Sequence, residues 1–366
     1  MKVCLDNIIF ALQRAGGISV YWSELLKHFI ATGTEYCVVE RPEALGNIQR
    51  GQLAIPAERI IADAGLPIKL GRYLPVAEGG GADLFLSSYY RWLRRGTTRQ
   101  VVTVYDFTYE LYRSGLRRAV HSWQKRTALR NADGIVCISD STRRDLLRLY
   151  PEVADTPVEV IPLGVSPSYR PLEASEEWPR EFAALQGERY VMFVGDRSDY
   201  KNFGMAVEAL RLFGSCCLAI VGGGALGDDE RRMLDERLPG AYRHLGSVSE
   251  EQLNALYNKA FALLYPSSYE GFGLPPLEAM RAGCPVVAVN SSSLPEVCGE
   301  AAMLVTAASP TAFAECLTGL LGCNVRDALV EKGFHQAARF VWGSTWERTT
   351  AFYSSIMATD RPRIEA

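Results

Sequence analysis

The sequence predicts an α/β protein of two doubly wound, Rossmann-like domains, on three observations. The chain has 366 residues, room for two domains of ordinary size. Short apolar runs such as residues 84–87, 135–138, 190–194 and 218–221 alternate with helix-patterned segments, as buried parallel strands do in βαβ units. Residues 265–289, YPSSYEGFGLPPLEAMRAGCPVVAV, read as one complete unit. An apolar run ends at Tyr265, a turn forms at Gly271 and Gly273, and Pro275 and Pro276 suit a first helical turn; Gly283 then stops the helix before strand resumes at 285–289. Strand, glycine turn, helix, strand is the unit that sets a ligand at the carboxyl edge of a parallel sheet.

Hydrophobic residues make up 48% and charged residues 22%, a globular balance, and no apolar run reaches the ~20 residues of a bilayer span. Asp6 interrupts the apolar start, which reads as a first strand and not a signal peptide. The nine cysteines include no CxxC pair and read as free thiols of a reducing compartment. Residues 1–170 carry 22 basic against 17 acidic side chains, the remainder 17 against 25. A basic first half beside an acidic second half suggests that the first half meets something anionic.

A strand over 2–6 leads through Gly16 and Gly17 to a helix over 19–31, with Tyr21, Trp22, Leu25, Leu26 and Phe29 at helical spacing. Residues 41–81 are weakly patterned. Strands follow at 83–87 and 100–105, and Asp106 stands at the carboxyl end of the second, where sites form. From Arg91 to Arg130 bases and aromatics interleave, among them Arg117, Arg118, Trp123 and Arg126. That mixture suits an anionic lipid surface, a nucleic-acid groove, or only a solvated helix face with its rings turned inward. Prolines 167, 171 and 179 mark a linker. The first domain is set at 1–172 and the second at 185–343; the final helix, 344–366, with Trp346, Phe352, Tyr353 and Ile356 on one face, is set back on the first.

Two constellations in the second domain carry chemistry. After the strand 189–194 come Gly195, Arg197 and Lys201; two cations four positions apart before a helix would stabilise a departing diphosphate. Glu270 and Glu278 bracket GFGLPP, where Gly271 and Gly273 admit a ligand close to backbone and Glu278 could grip the vicinal hydroxyls of a ribose. Gly222 and Gly223, ending the strand 218–221, would let a nucleotide approach; a flexible turn would look the same, and no G-x-G-x-x-G fingerprint is present. Ser249 and Gln252 have capping-box spacing.

Glu270 and Glu278 around GFGLPPLEAM, with GCPVVA and LPEV after them, resemble the signature of retaining nucleotide-sugar glycosyltransferases of family 4, and the resemblance covers nearly the whole chain. It implies the GT-B architecture, two Rossmann-like domains facing across a cleft with the last helix crossing back to the first. It implies that Gly16 and Gly17 lie near the donor diphosphate, that Arg197 and Lys201 hold the phosphates, that Arg243 contacts the base, and that Gly271, Phe272, Gly273 and Leu274 offer N–H groups to the sugar. The family often has His-Asp where this chain has Tyr105-Asp106, a variant that resembles mannosyl-type branches.

The implied reaction is retaining transfer of a hexose from a nucleoside-diphosphate sugar to a saccharide hydroxyl, led by leaving-group stabilisation. Glu270, Arg197, Lys201 and Asp106 are its expected catalytic residues. No metal site or other cofactor is expected. The donor expected is GDP-mannose, with a UDP-hexose as alternative. The expected acceptor is a glycan on a polyprenyl-diphosphate lipid in bacterial surface-polysaccharide synthesis, such as O-antigen or capsule. The enzyme would then lie peripherally on the cytoplasmic face of the inner membrane, touching it through the basic, aromatic first domain, with no nucleic-acid partner. An epimerase or a non-catalytic binder on the same fold stays open.

Overall fold

The computed structural model describes residues 1–63, 65–94, 96–173, 176–214 and 216–359. The chain divides into two units, Met1–Leu163 with Trp342–Ala366, and Gly164–Val341. Strands of the first are β1 (Val3–Asp6), β2 (Tyr36–Glu40), β3 (Ile60–Ala62), β4 (Leu84–Ser87), β5 (Arg99–Val104), β6 (Gly134–Cys137) and β7 (Val158–Val160). They pair in the order β3-β2-β1-β4-β5-β6-β7, every pair parallel. The second has β8 (Tyr190–Val194), β9 (Cys217–Val221), β10 (Tyr242–Gly246), β11 (Ala262–Tyr265), β12 (Val286–Val289) and β13 (Ala302–Val305). Their order is β10-β9-β8-β11-β12-β13, again all parallel.

The central strands explain why apolar runs marked them. Residues YVMFV of β8, CLAIV of β9, ALLY of β11 and VVAV of β12 are buried throughout, as helices on both faces of a parallel sheet require. The Phe203–Phe213 helix contributes Phe203, Ala206, Val207 and Leu210 to one core, which Leu234, Phe313 and Leu317 complete. Ser249 and Gln252 do form a capping box at the Glu250–Lys259 helix. In each sheet the strand order reverses beside its first strand, at β1|β4 and at β8|β11, and a crevice opens at the carboxyl ends of such a pair.

In the first unit protein fills that crevice. Arg91 lies 3.0 Å from Asp6 Oδ1 and 2.9 Å from Asp63, and Ser87 Oγ donates to Asp6 Oδ2 at 2.9 Å. Beside it Asn7 donates to Glu40, itself paired with Arg50, and accepts from the Trp22 indole. Burial pushes the Asp6 carboxyl up, against the pull of Arg91 and Ser87. Arg91 and Lys125, read from sequence within a surface stretch, are therefore interior ion-pair partners. Within 41–81, where the sequence showed no pattern, short helical turns (Pro42–Gly46, Ile48–Gly51, Ile68–Gly71) flank β3. None is long enough to display a period.

The Trp342–Ala358 helix belongs to the first unit and buries Trp346, Tyr353 and Ile356 there. The Trp346 ring lies 5.7 Å from Tyr21 and 5.7 Å from His28, and 5.1 Å from the parallel ring of Trp342. Gly134 opens β6 because a Cβ there would come within 2.8 Å of Ile356. Residues 360–366 of the expected final helix lie outside the described residues, as do Arg95 of the basic stretch and Ala174 and Ser175 of the linker. The sequence runs the first domain to 172, whereas the structure ends it at Leu163. Hydrogen bonds from Val165 to Phe340, Arg170 to Asn254 and Leu172 to Asn258 tie residues 165–172 to the second unit.

Candidate functional site

The β8|β11 crevice of the second unit holds the candidate site. β8 ends at Gly195, a turn at Asp199–Lys201 follows, and Asn202 takes a left-handed φ of +53° before the Phe203–Phe213 helix. This swings Lys201 back over the strand ends. Its Nζ lies 2.6 Å from Glu270 Oε1 and 3.4 Å from the Tyr265 hydroxyl. Burial opposes the ammonium charge, but Glu270 outweighs it and holds the Lys201 pKa above its usual value. Glu270 is fixed from behind: its N–H donates to Ser292 Oγ at 2.9 Å, and Ser293 Oγ donates to its carbonyl at 2.9 Å and to that of Phe272. The Leu274–Arg281 helix starts at Gly273 with no side-chain cap, and since Pro275 and Pro276 carry no N–H, the amides its start can offer a ligand are those of Gly273 and Leu274.

Glu278, one turn into that helix, lies in a tyrosine-lined recess. The Tyr257 hydroxyl donates to its Oε2 at 3.3 Å, and Tyr169 packs edge-on against Tyr257 at 6.1 Å. Burial pushes the Glu278 carboxyl up to about 7, with Tyr257 and Tyr169 pulling the other way. A ribose gripped by this carboxylate would bind it ionised. Nucleotide affinity should then weaken about tenfold per unit as pH falls below about 7 and level off above it, and Glu278→Gln should flatten the profile; titration calorimetry across pH reads both. Folding stability runs the opposite way. A native pKa above the unfolded value means the folded state holds the proton longer, so this group's contribution to stability is lost as pH rises from about 4.5 to about 7.

Arg197 stands elsewhere than the sequence set it. Its Nε donates to Glu230 at 2.8 Å, and its two Nη atoms donate to the carbonyls of Gly222, Gly223, Gly224 and Ala225 at 2.9–3.3 Å. Its side chain is 4% exposed. It braces the glycine turn after β9 and does not face open space. Gly223, at φ +73°, has no room for more than hydrogen, since a Cβ would stand 2.4 Å from Arg197 Nη1. Gly222 meets the Gly195 carbonyl closely, so the two glycine turns touch each other. Lys201 is the cation that fronts the crevice.

Other predicted residues fall apart from this group. Arg243 sits at the amino side of β10, three residues or about 10 Å from its carboxyl end, bonded to Gly240 and Glu188. The Phe272 ring is core, 5.7 Å from Phe340, leaving only its backbone for a ligand. Gly16, Gly17 and Asp106 lie in the first unit. Gly16 and Gly17 start the Gly17–Ala31 helix, and Asp106 caps the turn after β5 through Thr108 N–H at 2.9 Å. Tyr105 is buried against Tyr21, its ring 5.7 Å away, and cannot present itself as the family's histidine would. Sequence reasoning missed Ser292, Ser293, Tyr257, Tyr169 and Glu230. A serine run at 291–293 after an apolar strand was the one available signal. Among the described residues no three His, Cys, Asp or Glu side chains group to hold a metal ion.

Comparison with known proteins gives the family and the fold. The family model for Glycosyltransferase Family 4 matches residues 15–169, and that for glycosyl transferases group 1 matches residues 174–336. The O-antigen chain mannosyltransferase B of Escherichia coli is 33% identical over 235 residues, 62% of this chain and 61% of that protein. A D-inositol 3-phosphate glycosyltransferase of Acidothermus cellulolyticus is 30% identical over 250 residues, 63% of this chain and 55% of that one. The matches thus span under two thirds of these relatives' length. A sucrose-phosphate synthase from Thermosynechococcus elongatus superposes with a TM-score of 0.76 at 19% identity, over 98% of this chain and 100% of that one. Likeness of that extent shows the fold, the two Rossmann-like units of the GT-B architecture. Matched in its first half by the family 4 model and in its second by the group 1 model, the chain belongs to the family 4 glycosyltransferases.

Proposed function

We propose that the chain is a retaining hexosyltransferase that uses a nucleoside-diphosphate sugar, and that the Lys201–Glu270 pair is the centre of its donor site. The observation that carries this is the place of the pair: a cation and a carboxylate 2.6 Å apart at the switch point of the second sheet, beside a helix start and a hydroxyl-binding acid. A donor diphosphate would take Lys201 from Glu270. As the bond from the anomeric carbon to the phosphate oxygen breaks, Lys201 and the amides of Gly273 and Leu274 hold the charge left on that oxygen. The acceptor oxygen bonds the same face of the sugar, its proton passes to the departing phosphate oxygen, and freed Glu270 faces the anomeric centre. Glu278 takes the ribose. No metal is required by this scheme. The preferred donor is GDP-mannose, in keeping with the likeness to an O-antigen mannosyltransferase. A thermal-shift screen with GDP, UDP, ADP and dTDP, with and without magnesium, tests it. GDP alone should raise the midpoint, equally in both conditions. A shift with UDP alone would move the donor to a UDP-hexose, and no shift would sink the donor site.

The acceptor we propose is a glycan on a polyprenyl-diphosphate lipid, reached from the cytoplasmic face. No helix among the described residues is long and apolar enough to cross a membrane. The Gly115–Arg130 helix nevertheless exposes Leu116 at 79% and Trp123 at 52%, flanked by exposed Arg117, Arg118, Arg126 and Arg130, with no acid in its length. Apolar tips among cations suit anionic headgroups. In flotation, the protein should rise with phosphatidylglycerol vesicles at low salt, and Leu116→Ser with Trp123→Ser should leave it at the bottom. Equal flotation of both proteins would remove this surface from the proposal.

A further inference from the structure

Cys4 and Cys37 face each other across β1 and β2. They are register partners, so both side chains leave the same face of the sheet. Strands about 4.8 Å apart put their Cα atoms within the span a disulfide bridges, about 4.4–6.8 Å. The Cys4 thiol donates a hydrogen bond to the Cys37 sulfur. Both pack with Val39, Val76, Phe85 and Leu93 in a small core of their own. Cys4 follows Val3 at the start of β1 and Cys37 follows Tyr36 at the start of β2, so the pair lies toward the amino edge of the sheet, away from the crevice at its carboxyl ends.

The two thiols are unlike. Cys4 is fully buried, and its hydrogen bond to Cys37, burial and the nearby Asp6 charge all keep its proton on. Cys37 is 7% exposed. The hydrogen bond from Cys4 outweighs burial there, Lys2 and Arg59 add to it against Glu35, and the Cys37 pKa falls to about 7. Burial instead pushes the thiols of Cys137, Cys284 and Cys298 up to about 12. The thiolate is the nucleophilic form, so Cys37 is the reactive member of the pair. What lies over it is glycine. Its Sγ is 4.0 Å from the Gly79 carbonyl, and a Cβ on Gly80, at φ +59°, would come within 2.9 Å of that sulfur. Lys2 Nζ pins this turn by donating to the Gly80 carbonyl at 2.7 Å. A sulfur with so little open surface admits a reagent of a few atoms and shuts out a bulky disulfide.

We propose that Cys37 and Cys4 form a hydroperoxide-sensitive thiol pair, Cys37 attacking and Cys4 resolving, which closes to a reversible disulfide between β1 and β2. Neither thiol takes part in the proposed sugar transfer. With hydrogen peroxide, the Cys37 thiolate attacks one oxygen: an S–O bond forms, the O–O bond breaks, and the hydroxide that leaves takes up a proton as water. Cys4 then gives up its proton and attacks the Cys37 sulfenic sulfur. The S–S bond forms, the S–O bond breaks, and the second hydroxide leaves with that proton as water. Two thiols and one peroxide become one disulfide and two waters, and a dithiol reductant reverses the change. Peptide mapping by mass spectrometry tests this on the full chain, reduced, freed of reductant, treated with equimolar hydrogen peroxide, blocked with maleimide in denaturant and digested without reduction. The chain should lose two of its nine thiols, and the Cys4 and Cys37 peptides should appear joined while exposed Cys323 takes the maleimide. Dithiothreitol should restore all nine. Cys4→Ser, which keeps a donor to the Cys37 sulfur, should stop at the sulfenic acid, trapped on Cys37 by dimedone. Cys37→Ser should leave Cys4 reduced. Oxidation of Cys323 ahead of an intact Cys4 and Cys37 would overturn the proposal, as would oxidation of Cys4 in the Cys37→Ser protein. The wild-type map decides the matter even where a serine variant fails to fold.

Discussion

Lys201→Ala is expected to lower kcat by about 10²–10³, the loss that follows removal of one fixed donor from a developing oxyanion. The reason is geometric. With Arg197 occupied by Glu230 and four carbonyls, the crevice has Lys201 as its fronting cation. The same change leaves Glu270 mostly buried without its partner, since the two side chains are 11% and 13% exposed, and should also cost stability on the order of a few kcal/mol. The two effects separate in the double variant Lys201→Met with Glu270→Gln. Removing both charges should restore much of the unfolding midpoint and none of the activity. A Lys201→Ala enzyme with near-normal kcat would end the leaving-group assignment, and Arg197 released from its brace would become the residue to examine.

Trp346→Ala is expected to destabilise the first unit by about 3–5 kcal/mol, the range for deleting a large buried ring. Trp346 is 6% exposed and closes a cluster with Tyr21, His28 and Trp342 that holds the last helix on the sheet. In calorimetry the first unit's transition should fall by about 10 °C. Nothing in the second unit's core rests on Trp346, so nucleotide affinity measured below the new midpoint should stay as it was. A transition unmoved by Trp346→Ala would show that the helix contributes little to the first unit.

The sequence made legible what repeats along the backbone, and hid what depends on direction. Parallel strands buried on both faces have to be apolar throughout, so YVMFV and VVAV announced themselves. Gly271, Gly273, Glu270 and Glu278 were readable because a strand end, a turn and a helix start fix where each must sit. Arg197 was not, because spacing cannot show that the carbonyls of residues 222–225 turn toward it. Arg243 was lost for a related reason: its distance from the strand end, not its presence in the strand, decides whether it can touch a ligand. Tyr105 was readable as a departure from the family's histidine, but its burial against Tyr21 comes from a helix far along the chain and from a neighbour on another element.

The hydrogen bond from Val165 N–H to the Phe340 carbonyl, at 3.0 Å, joins the two extremities of the second unit. The chain enters and leaves that unit at one spot, so residues 164–341 form a closed cassette carried as an insert. Such a cassette is portable. Cut out with its own ends already clasped, it would fold alone and keep Lys201, Glu270 and Glu278 in place. The excised halves of the first unit could be rejoined from Leu163 to Trp342 by a brief tether. Under the proposed function, two cuts separate the donor site from the first unit, and hybrids that exchange cassettes between relatives would show which half dictates the sugar delivered.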